Sequence, residues 1–438
     1  MLVLWFAGMI VLGTFVLVLP VSRVPGHEMR LIDAFFTAAS AVTVTGLKVK
    51  TIAADLTLTG QVVVLVLIQL GGLGYMVLST VIVILLGKKI GIKQRLVMQE
   101  ALSVLSVEGL VHLLRGILVI TAIVEGSGAV ILAVRFSLDY PWPRAIYLGV
   151  FHSISAFNNS SFSLFPTNLI GYERDPVVNL VVTALIIAGG LGFIVYRDLR
   201  RYWRGDVYRL TVHTKMVLSL TAGLIAIGTM LFWALETTNP RTLGDLRLTD
   251  QLMVAYFHAV SARTGGLYTI DVSLCSGATL YLLILLMIIG ASPGGTGGGI
   301  KTSTFGTMLI VLWSGIRGKI DSTVFHRRIP QETAIRAFSV ALLAFFLTTG
   351  MTLVLQVSEG QDFLRTLFEV ASAFGTVGLS TGDGGTLSYV ALFSDFGKLM
   401  IILTMFIGRL GPLTVGVALI REEEHRRFRY PPERVLIG

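Results

Sequence analysis

The chain has 438 residues, 54% hydrophobic and 14% charged, and its mean hydropathy of +0.79 lies well outside the range of soluble domains. Lipid cannot satisfy free backbone groups, so apolar runs at this density are read as membrane helices of about 20 residues each. The formal charge of +9 sits in loops beside those runs, which points to topology signals and away from nucleic acid. Its one cysteine, Cys275, excludes an intramolecular disulfide, and no Cys/His spacing resembles a zinc site.

In chain order, residues 2–19 form a first apolar run without a basic start or a small-residue cleavage site, so it reads as a retained span. A short helix at 30–41, a loop at 42–49 and a second span at 62–86 complete the first quarter. The basic cluster Lys88, Lys89, Lys93 and Arg95 then places the next loop in the cytoplasm. The second quarter repeats the plan, with spans at 113–134 and 177–196 around a short helix at 144–156, and it ends on Arg197, Arg200, Arg201, Arg204 and Arg209. Spans at 216–235 and 280–300 flank a short helix at 250–262 in the third, which is followed by Arg317, Lys319, Arg327 and Arg328. The fourth has spans at 334–357 and 397–420, a short run at 363–372 and a basic tail. Basic loops fall after the second span of each quarter, so both termini are expected in the cytoplasm.

The loops share one grammar: an aromatic, a few small or polar residues, Ser-Ala, then a position that expects glycine. Gly46 lies ten residues after Phe36, Ser161 ten after Phe151 and Gly378 ten after Phe368, while Gly266 lies nine after Phe257. Such a repeat between apolar runs predicts four equivalent units: 1–110, 111–212, 213–332 and 333–420, with a tail at 421–438. The expected fold is an all-α membrane protein of four helix/pore-loop/helix units around a pseudo-fourfold pore. At that depth irregular backbone must be buried or face water, and carbonyls facing a narrow water path can replace a cation's hydration shell. The candidate filter is therefore Val44, Thr45 and Gly46; Asn159, Ser160 and Ser161; Thr264, Gly265 and Gly266; and Thr376, Val377 and Gly378, with K+ held by their backbone carbonyls. The short helices would aim their negative ends at the axis. Ile68 to Gly74 and Ile187 to Gly192 carry a recurring Gly-Gly-Leu-Gly that suits close helix approach.

Two further features interrupt apolar runs. Gly294, Gly295, Thr296, Gly297, Gly298 and Gly299 break the third unit's second span, followed by Lys301, and Arg409 stands inside the last span, where an ionisable residue is a functional candidate. A nucleotide-binding loop is a poor fit, because Ile300 separates Gly299 from Lys301. His152 and His258 occupy equivalent places in two short helices, where Thr37 and Glu369 stand in the others; hydrogen bonding to the loop suits them better than metal ligation.

The four loops, the run Ala291 to Thr302 and the run Ile407 to Pro412 resemble the Trk/Ktr/HKT superfamily of potassium transporters, closest to the KtrB-type membrane subunit; the ending from Arg429 is similar to KtrB tails. The resemblance covers nearly the whole chain. It implies a plasma (inner) membrane homodimer in lipid, with one pore per subunit, on a cytoplasmic KtrA-like ring of nucleotide-binding regulatory subunits. It also implies that Gly294 to Gly299 form an intramembrane gate beneath the filter, with Arg409 facing the pore there. The family has glycine where this chain has Ser161, which bears on K+ over Na+ selectivity. Either the serine hydroxyl displaces or replaces a ring carbonyl, or it turns outward onto neighbouring backbone and leaves the ring intact. The expected function is K+ conduction, with Na+ as a second candidate cargo, and with no enzyme activity and no cofactor in this chain. The alternative is the ion-binding subunit of an ATP-driven potassium pump, which would need additional spans.

Overall fold

The computed structural model describes residues 2–85, 110–319 and 321–411. The cluster Lys88, Lys89, Lys93 and Arg95, the expected end of the last span at 412–420 and the tail at 421–438 lie outside the described residues.

The first quarter forms α1 (Leu2–Val18), α2 (Leu31–Val42), α3 (Ile52–Asp55) and α4 (Leu58–Leu85). The second forms α5 (Leu110–Phe136), α6 (Trp142–Phe157), α7 (Pro176–Gly190) and α8 (Phe193–Trp203). In the third, α9 (Val212–Glu236) and α10 (Leu248–Val260) lead into a π turn at Ser261–Gly265, then α11 (Gly277–Ile288) and α12 (Thr302–Ile316). The fourth holds α13 (Gln331–Glu359), α14 (Phe363–Gly375) and α15 (Asp395–Leu410). Several starts are fixed by side-chain caps: Asp175, Thr211, Ser276, Asp362 and Ser394 each accept a backbone N–H from the first turn, at about 1 kcal/mol per cap.

Three described helices are long and apolar enough to cross a membrane, at 116–136, 212–236 and 331–359, and only 22–28% of each is buried. Their exposed apolar faces suit lipid, so they read as the outer layer. The short helices α2, α6, α10 and α14 pack inside it, anchored by Phe36, Phe151, Phe257 and Phe368, all fully buried. These are the aromatic residues that open each copy of the repeated motif.

The second span of each quarter departs from the sequence expectation, which placed a break in the third alone. Gly74 (φ 75°), Gly192 (φ 86°) and Gly411 (φ 89°) take left-handed backbone, which glycine adopts without steric cost. At Gly192 the chain turns by 94° between α7 and α8. Three residues earlier, Gly71, Gly189 and Gly408 lie against the ends of their own short helices. A methyl there would sit 2.0, 1.8 and 2.0 Å from the carbonyl oxygens of Val42, Phe157 and Phe374. The close approach expected of these small residues is thus a seat for the short helix. The expected span at 280–300 is α11 plus a non-helical segment that turns back on itself, pairing Ile300 with Ile289, and helix resumes at α12.

The first and fourth quarters are joined directly. Lys398 pairs with Asp33 at 2.9 Å, Arg30 bonds Asp395, and Lys48 and Ser388 exchange bonds of 3.0 and 2.9 Å. Between α12 and α13 a small hairpin, β1 (Thr323–Val324) and β2 (Arg327–Arg328), pairs Thr323 with Arg328 and Val324 with Arg327. Its turn residues Phe325 and His326 both have positive φ.

Candidate functional site

The four loop positions meet. Gly46, Ser161, Gly266 and Gly378 have φ of 86°, 59°, 61° and 88°. A methyl on Gly46 would lie 2.0 Å from Ser160 O, one on Gly378 would lie 2.0 Å from Thr45 O, and one on Gly266 would lie 1.7 Å from Val377 O. Ser161 Oγ reaches Gly266 O at 2.6 Å. Each loop therefore touches the next: first to second, second to third, third to fourth, fourth to first.

Ser161 bonds the backbone of the neighbouring loops. Its hydroxyl donates to Gly266 O, with Gly378 O at 3.4 Å. Two residues before the meeting point, Val44 (φ 57°), Asn159 (φ 59°) and Thr376 (φ 49°) are also left-handed. The third loop, one residue shorter in sequence, instead carries Thr264 and Gly265 in its π turn.

The serine of each Ser-Ala pair holds its loop. Backbone N–H groups of Thr45, Ser160, Gly266 and Val377 donate to the carbonyls of Ser40, Ser155, Ser261 and Ser372 at 2.8–3.0 Å. The hydroxyls add a second tie. Ser40 Oγ accepts from Gly46 N–H at 2.9 Å and donates to Leu47 O at 2.8 Å. Ser155 Oγ donates to Phe162 O at 2.6 Å, Ser261 Oγ donates to Leu267 O, and Ser372 Oγ accepts from Gly378 N–H at 3.0 Å. The serines were visible as part of the motif, but this role was not assigned to them.

A second layer bonds the loops from behind. His152 pairs Nε2 with Ser163 Oγ at 2.9 Å, and Glu369 accepts from Ser380 Oγ at 2.7 Å and Val390 N–H at 3.0 Å. Thr37 and His258 bond backbone carbonyls of their own helices, Asp33 O at 2.8 Å and Val254 O at 2.9 Å. Among the described residues no group of three His, Cys, Asp or Glu could hold a metal ion.

The glycine-rich break lies against the loops. Thr296 N–H donates to Gly189 O at 3.1 Å and Thr296 Oγ1 donates to Phe157 O at 3.0 Å. Asn159 Nδ2 donates to Thr296 Oγ1 at 2.8 Å, and Gly298 N–H donates to Thr376 Oγ1 at 2.9 Å. Methyls on Gly297 and Gly298 would come within 2.4 Å of Thr264 Cγ2 and 2.5 Å of Thr376 Oγ1, so the contact requires bare backbone. Gly294 (φ 74°) and Gly299 (φ 70°) bound the segment, and Gly295 lies against the carbonyls of Gly189 and Gly190. Lys301 Nζ donates to Gly297 O at 2.6 Å. Arg409 donates to Thr296 O and to Gly71 O, with Gly72 O at 3.2 Å. One guanidinium thus bridges the third unit's break and the first unit's.

Two further polar groups, Arg263 buried and Glu125 half-buried, lie close to the loops. Arg263, 7% exposed, sits in the third loop with Nη2 3.4 Å from Gly290 O. Glu125, inside α5, accepts from Asn158 Nδ2 at 3.0 Å, and the same amide donates to Gln69 Oε1 at 2.9 Å. A carboxylate within an apolar run was a legible signal for Glu125.

The family model described as TrkH, cation transport protein, matches residues 11–429. The chain belongs to the TrkH family. It is 40% identical over 429 residues to Ktr system potassium uptake protein B of Bacillus subtilis (strain 168), covering 98% of this chain and 94% of that one. A protein of the same name from Vibrio alginolyticus is 37% identical, with 100% and 94% covered. The potassium/sodium uptake protein NtpJ of Enterococcus hirae is 37% identical, with 99% and 95% covered. The crystal structure of the potassium transporter TrkH from Vibrio parahaemolyticus matches at a TM-score of 0.70 and 20% identity, covering 95% of this chain and 83% of that one, which shows a shared fold. The resemblance read from the loops is therefore borne out: TrkH-family chains are membrane subunits for ion transport, not enzymes.

Proposed function

We propose that the chain is the ion-translocating subunit of a potassium uptake system, with four units arranged pseudo-fourfold around a conduction path. The observation that carries this reading is the closed contact of Gly46, Ser161, Gly266 and Gly378, each loop against the next. Left-handed backbone at all four positions turns carbonyls out of the helical direction. Carbonyls gathered around a narrow path can replace a cation's hydration shell, and K+ is the cargo they would hold. The four short helices bring their negative C-terminal ends to the same place. The names of the relatives support K+ as cargo, and that of NtpJ supports Na+ as a second one.

In this reading Gly294 to Gly299 form the gate. The segment packs under the second, third and fourth loops through Asn159, Thr264 and Thr376, and Arg409 and Lys301 hold it by its carbonyls. The relatives named as parts of Ktr and Trk systems support a regulatory partner. We assign that role to a cytoplasmic nucleotide-binding ring beneath a homodimer of this chain, in the plasma membrane.

The test is Rb+ and Na+ flux into liposomes carrying the full chain. Flux down a gradient without ATP is expected, and strict dependence on ATP hydrolysis would favour a pump subunit instead. Deletion of residues 295–298 is expected to raise flux; a folded deletion protein with unchanged or lower flux would make the segment structural.

A further inference from the structure

The glycine-rich break and the ring of loops are joined by side chains as well as by packing. Thr296 is fully buried and its polar groups are all engaged. Its N–H reaches Gly189 O at 3.1 Å, its carbonyl accepts from Arg409, and its hydroxyl donates to Phe157 O at 3.0 Å. A hydroxyl has one proton to give, so the remaining contact, 2.8 Å to Asn159 Nδ2, must be accepted by Thr296 Oγ1. That fixes the orientation of the Asn159 amide. Two residues along, Gly298 N–H donates to Thr376 Oγ1 at 2.9 Å.

Asn159 and Thr376 occupy matching places in their loops. Each stands two residues before a ring position, Ser161 and Gly378, and each holds a left-handed φ, 59° and 49°. A β-branched side chain such as that of Thr376 disfavours that region by about 1–2 kcal/mol, and Asn159 tolerates it more readily, so the conformation at Thr376 above all persists where surroundings enforce it. The bonds from the break fall on these two left-handed residues. The break could not leave its place without releasing both.

We infer that Thr296, with Gly298, couples the gate to ion selection: the closed segment holds Asn159 and Thr376 in register, and its departure relaxes the second and fourth loops of the filter. The consequence is a filter whose discrimination depends on the state of the gate. Asn159, Thr296 and Thr376 act as positioning residues. This inference rests on the proposed function above and adds to it a dependence of selectivity on the gate.

Thr302 supplies the control. Its hydroxyl bonds Ser292 Oγ at 2.6 Å and its N–H bonds Ala291 O at 3.2 Å, so its hydrogen bonds brace the base of the same segment and go to no loop of the ring. The experiment measures the K+ to Na+ permeability ratio and the Rb+ flux of the full chain in liposomes. Thr296→Val is expected to raise flux and lower the ratio roughly three- to tenfold, the scale of one net hydrogen bond. Thr296→Ser, which keeps the hydroxyl, should restore the ratio. Thr376→Val should lower it in the same direction and serves if Thr296→Val does not fold. Thr302→Val should alter flux alone. An unchanged ratio in conducting Thr296→Val or Thr376→Val protein would overturn the coupling, as would an equal fall in Thr302→Val. Absence of any flux from the unaltered chain would instead remove the proposed function, which keeps the two failures apart.

Discussion

Ser161 is the residue at which this ring departs from an all-glycine pattern, and its geometry says what the departure does. Its hydroxyl proton is spent on Gly266 O at 2.6 Å. A carbonyl so engaged has less lone-pair density for a cation and is drawn toward the serine. Replacing Ser161 by Gly is expected to free that carbonyl and raise the K+ to Na+ permeability ratio, measured from reversal potentials or competitive flux. Stability should change little. Relief of the left-handed backbone, about 1–2 kcal/mol, is opposed by the larger unfolded-state entropy of glycine, about 0.4–1 kcal/mol. The converse change, Gly378→Ser, places a Cβ 2.0 Å from Thr45 O and 2.5 Å from Ser161 Cβ at a φ of 88°. It should weaken K+ discrimination in the same assays, and an unaltered ratio in folded protein would remove Gly378 from the filter.

At the scale of one element, the short helix and its loop behave as a unit because the motif's serine bonds forward across it. Ser372→Ala leaves the buried Gly378 N–H without its acceptor, which costs about 1–3 kcal/mol. We expect the variant to fold and conduct with reduced discrimination; full selectivity would mean that the backbone bond from Val377 N–H to Ser372 O, 2.9 Å, holds the loop alone. This grammar was legible because it is local: an aromatic at one end, serine four residues on and a ring position six beyond, or five in the third copy, repeated in one chain. The breaks at Gly74, Gly192 and Gly411 were less legible. Apolar residues continue on both sides of each, so hydropathy reads straight through them. The signal that could have found them is the recurrence Gly71-Gly72-Leu73-Gly74, Gly189-Gly190-Leu191-Gly192 and Gly408-Arg409-Leu410-Gly411, which also shows Arg409 standing where its counterparts have glycine. The hairpin at Phe325 and His326 gave little warning, since neither is the glycine, asparagine or aspartate that such a two-residue turn prefers.

Across the whole molecule, the proposed arrangement of four units needs a closing contact, and the first and fourth quarters of the chain supply one. Its polar links differ in kind. Arg30 and Asp395 are 55% and 60% exposed, so their pair is worth about 0–1 kcal/mol. Lys398 and Asp33 are 10% and 7% exposed at 2.9 Å, so neither charge has water to fall back on. Removing one partner of such a pair costs about 3–5 kcal/mol, because the other is left buried and unpaired. Asp33 also lies at the start of α2 and Lys398 in the first turn of α15, so the pair fixes the helix that carries Gly46 against the fourth unit. Asp33→Asn is therefore expected to lower the apparent Tm of the purified protein in detergent and, in liposomes, to reduce discrimination among cations. The double change Asp33→Leu with Lys398→Met removes both charges and should recover most of the lost Tm, since an apolar pair of similar volume can replace a buried ion pair without penalty. Equal Tm values for the single variant and the unaltered chain would mean that the units close by packing of α15 on α2 and that the ion pair adds nothing.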